Sequence, residues 1–106
     1  MDIAQRNELE GKIITMLKTI YDPEIPVDIY ELGLIYNIGI DDAAAITIMM
    51  TLTSPSCPVA ETLPPEVEQK VTSVEGVASC KVEITWDPAW DKSMMSEEAQ
   101  LELGFL

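Results

Sequence analysis

Two short runs of alternating apolar residues, separated by Asp41-Asp42, constrain the fold of this chain more than any other feature. Leu32, Leu34, Tyr36, Ile38 and Ile40 recur at every second position, and Ile46, Ile48, Met50 and Leu52 resume the pattern after the acidic pair. Successive side chains of a strand point to opposite faces, so each run presents one apolar face. Adjacent strands joined by so short a turn form an antiparallel hairpin. A third run has the same period: Cys80, Val82, Ile84 and Trp86 fall on one face, with Lys81, Glu83 and Thr85 on the other.

The segments that can cover these faces repeat at three- and four-residue steps. From about Asp2 to Tyr21, Leu9, Ile13, Met16, Leu17 and Ile20 share one side of a helix, with Asn7 and Glu10 placed as a capping box. Asp22-Pro23 ends it, and residues 22–27 form a stiff, extended loop. Leu63, Val67, Val71 and Val74 mark a second helix. Pro64 and Pro65 place its start near Pro65, after a short turn, and Gly76 stands beyond its end. Ser96 is positioned to cap a short third helix carrying Ala99 and Leu103. The expected fold is α+β: a sheet of about three strands, a hairpin plus one, with helices on one face. The order is α-β-β-α-β with a short C-terminal helix, and the tail 87–106 packs on the body of a single domain, 1–106.

Charge narrows the function. Six Lys and Arg oppose 19 Asp and Glu, and with no His the formal charge is -13. That field repels phosphate backbones and anionic lipid, which argues against nucleic-acid and membrane roles and favours basic protein partners. The N-terminal residues lack the pattern of a signal peptide, and the apolar run from Ala43 to Leu52 is too short to span a bilayer, so a cytoplasmic location is expected. No GxxxxGK[ST] or GxGxxG pattern is present, and a bound nucleotide is not expected.

Two cysteines remain. Cys80 shares the parity of Val82 and Ile84 and reads as a small core residue. Cys57 lies in a Ser/Pro loop, between Pro55 and Pro58, just ahead of helical spacing. There the free N–H groups of a helix N-terminus stabilise a thiolate. The absence of histidine removes a Cys–His dyad, so an enzyme is not expected. Soft-metal binding is consistent with the residues: iron takes thiolates, and Asp22, Glu24 and Glu31 are candidate oxygen donors if their loop folds against Cys57. One cysteine cannot hold a cluster alone. A second protomer, a client protein or a small thiol must supply the other ligands.

The sequence Asp22-Pro23-Glu24-Ile25-Pro26-Val27-Asp28-Ile29-Tyr30-Glu31-Leu32-Gly33-Leu34-Ile35-Tyr36 resembles the opening signature of the SufT/PaaD-like iron–sulfur assembly domain family. Thr51-Leu52-Thr53-Ser54-Pro55-Ser56-Cys57-Pro58 is similar to its cysteine loop. Trp86-Asp87-Pro88-Ala89-Trp90, with Met95-Ser96-Glu97-Glu98-Ala99 and Leu103-Gly104, resembles its C-terminal signature. The resemblance implies a role in iron–sulfur protein maturation, with Cys57 as the reactive cysteine and Asp22, Glu24 and Glu31 in its acidic loop. It further implies transient iron or cluster cargo, assembly machinery and client apoproteins as partners, and a homodimer. Two other readings stand beside it: an interaction module that binds no metal, and an accessory subunit of a multicomponent oxygenase.

Overall fold

The computed structural model describes residues 1–23, 25–53 and 57–104, and of residues 57–59 the backbone only. Three strands form one sheet in the order β1-β2-β3: Ile35–Ile40, Ala45–Met50 and Ser79–Ile84. β1 and β2 are antiparallel, as the acidic turn predicts, while β3 runs parallel to β2. A parallel neighbour requires a crossover, and helix α2 (Cys57–Thr72) supplies it. The α+β class and element order match those expected.

The register stacks inward-facing residues in rows across the sheet. Ile40, Ile46 and Cys80 form one row, Ile38, Ile48 and Val82 the next, and Ile35, Met50 and Ile84 the third. Ile46, Ile48 and Met50 in the central strand are completely buried, or nearly so, whereas Thr47 and Met49 between them are exposed. Helix α1 (Ile3–Leu17) closes the inner face with Leu9, Ile13 and Leu17, and α2 with Leu63, Val67 and Val71. A helix of 15 residues is marginal alone in water. Burial of these side chains, each worth about 1.5–3 kcal/mol, is what holds α1 in place.

Several local expectations are corrected. The capping box of α1 is Asp2 with Gln5, not Asn7 with Glu10: Asp2 Oδ1 accepts from the Gln5 N–H at 2.7 Å, and Gln5 Oε1 accepts from the Asp2 N–H at 3.1 Å. The earlier pair makes the same reciprocal bonds and lets further backbone bonds form. The helix then stops at Leu17, short of Tyr21. Leu32 and Leu34 are fully buried but precede β1, in a turn where their amides bond to the carbonyls of Asp28 and Ile29. Register shifts between Ile35 and Asn37, so Tyr36 is the extra residue of a bulge and leaves the expected alternation. Its hydroxyl instead reaches Pro88 O at 2.8 Å.

Helix α2 continues through Pro64 and Pro65 instead of beginning at Pro65. The carbonyls that lose amide donors belong to Ala60 and Glu61, both exposed, where water can replace the missing bonds. Trp86 lies beyond the end of β3 and is 46% exposed, so it does not continue the inner face. Short helix α3 (Glu97–Glu102) is capped by Ser96 as expected, its hydroxyl oxygen accepting from the Ala99 N–H.

The tail grips the turn ahead of β1. Trp90 Nε1 donates to Leu32 O at 2.7 Å, the Ser96 amide donates to Glu31 O at 2.8 Å, and Met95 and Ala99 are buried. Directly after these two accepting residues comes Gly33, at φ +80, where a Cβ would lie 2.2 Å from the Met94 carbonyl oxygen. The hairpin turn holds the converse case: Ala44 takes φ 59 while Asp41 Oδ1 accepts from the amides of Ala43 and Ala45.

Two substitutions test these assignments by urea denaturation. Gly33→Ala should lose about 3 kcal/mol or more, combining overpacking with an unfavourable backbone region. Ala44→Gly should instead gain up to about 1 kcal/mol, because glycine adopts that conformation without steric cost.

Candidate functional site

The row Ile35–Met50–Ile84 ends the sheet at the carboxyl end of its central strand. Beyond it the chain stays bonded: the Thr51 amide donates to Leu34 O and the Thr85 amide to Met50 O, both at 2.9 Å. From this edge the chain crosses to α2, whose first residue is Cys57. The cysteine is therefore placed at a helix N-terminus, where amides without intrahelical partners and the helix dipole favour negative charge. Its side chain lies outside the described residues, as do Ser54, Pro55 and Ser56. Near this edge Thr51 is completely buried. Burial pushes the Tyr36 phenol above its ordinary value, and the nearby Thr51 hydroxyl opposes the shift.

The acidic loop is ordered by its own hydrogen bonds. Asp22 is 4% exposed, and its Oδ1 accepts from the Ile25 amide at 3.1 Å. Its amide donates to Val27 O, beside an isolated bridge between Tyr21 and Asp28. Glu31 faces Lys18, with Oε1 3.6 Å from Nζ, and the same ammonium lies 5.4 Å from the centre of the Tyr30 ring. Glu24 lies outside the described residues. Among the described residues, no three acidic or thiol side chains come together as a group able to hold a metal ion.

Asp28 is the organising residue that sequence reasoning missed. Its Oδ2 accepts from the amides of both Tyr30 and Glu31, at 3.1 and 3.0 Å, and so nucleates the turn that buries Leu32 and Leu34. An aspartate opening a turn is the available signal, because its carboxylate accepts amides two and three residues onward. Glu31 and Asp28 also line a cleft of about 150 Å³ with Glu98 and Glu102 from α3, to which Tyr21 and Pro26 contribute. Asp22 is not among its lining residues.

Cys80 is half-buried in β3 and packs against the core, as its parity indicates. Burial pushes its thiol up to about 11, and the Glu68 carboxylate adds to the shift. At neutral pH this sulfur carries a proton and is a poor metal ligand.

Comparison with known proteins identifies the family to which this α+β domain belongs. Residues 10–84 match the family model described as iron–sulfur cluster assembly protein. The Fe-S protein maturation auxiliary factor of Porphyromonas gingivalis is 52% identical over 99 residues, covering 93% of this chain and 94% of the relative. The Fe-S protein maturation auxiliary factor YitW of Bacillus subtilis is 38% identical over 96 residues, covering 91% and 94%. A crystal structure from Bacillus anthracis, described as a domain of unknown function DUF59, superposes with a TM-score of 0.85 at 37% identity, covering 94% and 95%. This chain belongs to the iron–sulfur cluster assembly protein family. No helix among the described residues is long and apolar enough to cross a membrane.

The Cys80 environment predicts a pH response. Its folded pKa is raised, so the associated stability is present below the ordinary thiol value and is lost as pH rises through about 11. Glu68→Gln removes a repelling charge and keeps an acceptor for the Val82 amide. Iodoacetamide titration of the folded protein should then show an alkylation midpoint for Cys80 at lower pH than in the parent.

Proposed function

We propose that this protein matures iron–sulfur proteins by carrying iron or a cluster transiently to client apoproteins, with the Cys57 thiolate as the chain's ligand. The observation that carries the reading is the position of Cys57 at the first residue of α2, at the carboxyl end of the central strand. Relatives named as maturation auxiliary factors, alike over more than nine-tenths of this chain, support it. So does the contrast with Cys80, whose raised pKa keeps it neutral.

A single thiolate from this chain makes a labile site. Iron in clusters prefers further thiolates, which a client, a second copy of the chain or a small thiol would provide, and incomplete coordination favours release. The Asp22 bond to the Ile25 amide and the Glu31 pairing with Lys18 support a loop-holding role for these carboxylates over ligation. The charge of -13 favours clients and assembly proteins that present basic surfaces. No residue is assigned a catalytic role.

Anaerobic reconstitution with iron and sulfide, read by absorbance and Mössbauer spectroscopy, tests the ligand. Cys57→Ser should lower cluster occupancy by at least about tenfold, as expected when a metal-site group is lost, while Cys80→Ser should match the parent. Equal uptake by Cys57→Ser and the parent would defeat ligation by Cys57. Loss of client activation in Cys57→Ser, with no iron taken up by either protein, would assign the domain a docking role instead.

A further inference from the structure

The two edges of the sheet differ. In β3, the Val82 amide points away from β2 and is met by Glu68 Oε2 at 2.8 Å, and Lys81 and Glu83 flank it. Capped donors and charged neighbours are how natural sheets prevent unwanted strand pairing. β1 has neither device: Ile35-Tyr36-Asn37-Ile38-Gly39-Ile40 contains no charge and no proline. The Asp41 amide bonds to Ala45 O, which sets the ladder so that Ile38 and Ile40 turn their N–H and C=O groups away from β2. Among the described residues, no backbone group outside the β1–β2 ladder bonds to either residue. Beside this edge runs a groove of about 250 Å³, lined by Glu10 and Ile14 of α1 with Tyr30, Ile35, Tyr36 and Ile38.

We propose that β1 is a strand-addition site, taking an extended segment of a partner protein that has an uncharged, β-prone centre and lysine or arginine at its flanks. The open amides and carbonyls of Ile38 and Ile40 supply the main-chain bonds, and the groove accepts alternate side chains. Charge selects the flanks: Glu10 stands at the groove, and Asp41 and Asp42 follow the far end of the strand. The same charges disfavour a second copy of this chain. Pairing β1 with its own copy would bring Glu10 of each to one seam and join two bodies of -13. The proposal is independent of whether Cys57 binds iron.

The test is NMR titration of the full chain with a capped hexapeptide, Lys-Val-Thr-Val-Thr-Lys, and with a control carrying proline in place of both valines. Amide exchange at Ile38 and Ile40 should slow about tenfold or more at saturation with the first peptide and stay unchanged with the control. Glu10→Lys, an exposed change that spares the core, should weaken binding about fivefold at low salt. Ile40→Pro, which removes an outward-facing donor, should abolish it. Shifts confined to the acidic cleft by Glu98 and Glu102, unaltered binding in Glu10→Lys, or exchange at Ile38 and Ile40 that no peptide slows would each overturn the site. Sedimentation showing a dimer with these two amides already protected would assign the edge to a second copy and overturn the choice of partner.

Discussion

Burial of the inner face of β2 is the constraint on which the other elements depend. Ile46, Ile48 and Met50 are paired along both edges of their strand and covered by two helices, so none can move without opening the core. Close-packed interiors resist such displacement, which fixes the direction and end point of the strand. The crossover from that end point gives α2 its start. The position of Cys57 at the first turn of α2 therefore follows from the packing of residues several positions earlier.

Charge and core divide the molecule cleanly. Asp22 is the charged residue buried within the described part, and it is engaged with the backbone of its own loop. The other described carboxylates lie at or near the surface, where their mutual repulsion is screened by water and salt. A core built almost wholly from aliphatic side chains tolerates that surface because none of its stability depends on ion pairs; exposed pairs such as Arg6–Asp42 contribute little. The surface is thus left available for recognition by partners of opposite sign.

The loop ahead of β1 and the C-terminal tail form a second, mutually dependent layer. Asp28 folds the loop onto itself, and Trp90 and Ser96 then bond to the carbonyls of Leu32 and Glu31, just ahead of Gly33. Neither segment has enough apolar surface to fold alone, and each satisfies the other's backbone. This explains why two signatures separated by most of the chain belong to one structural feature.

Alternation alone determined which side chains of β2 and β3 face inward, since period two leaves no other way to bury one face. Local chemistry likewise determined the Ser96 cap and the antiparallel hairpin. Tertiary structure decided what depends on distant partners. The bulge at Tyr36 arises from pairing with β2, and α2 runs through Pro64 and Pro65 because Leu63, Val67 and Val71 anchor both sides of the prolines in the core. Gly33 is required by Met94, far along the chain, and the acidic loop turns Glu31 toward Lys18 through a fold that spacing does not encode. Local rules act over a few bonds, whereas these outcomes are set by contacts that exist only once the chain has closed on itself.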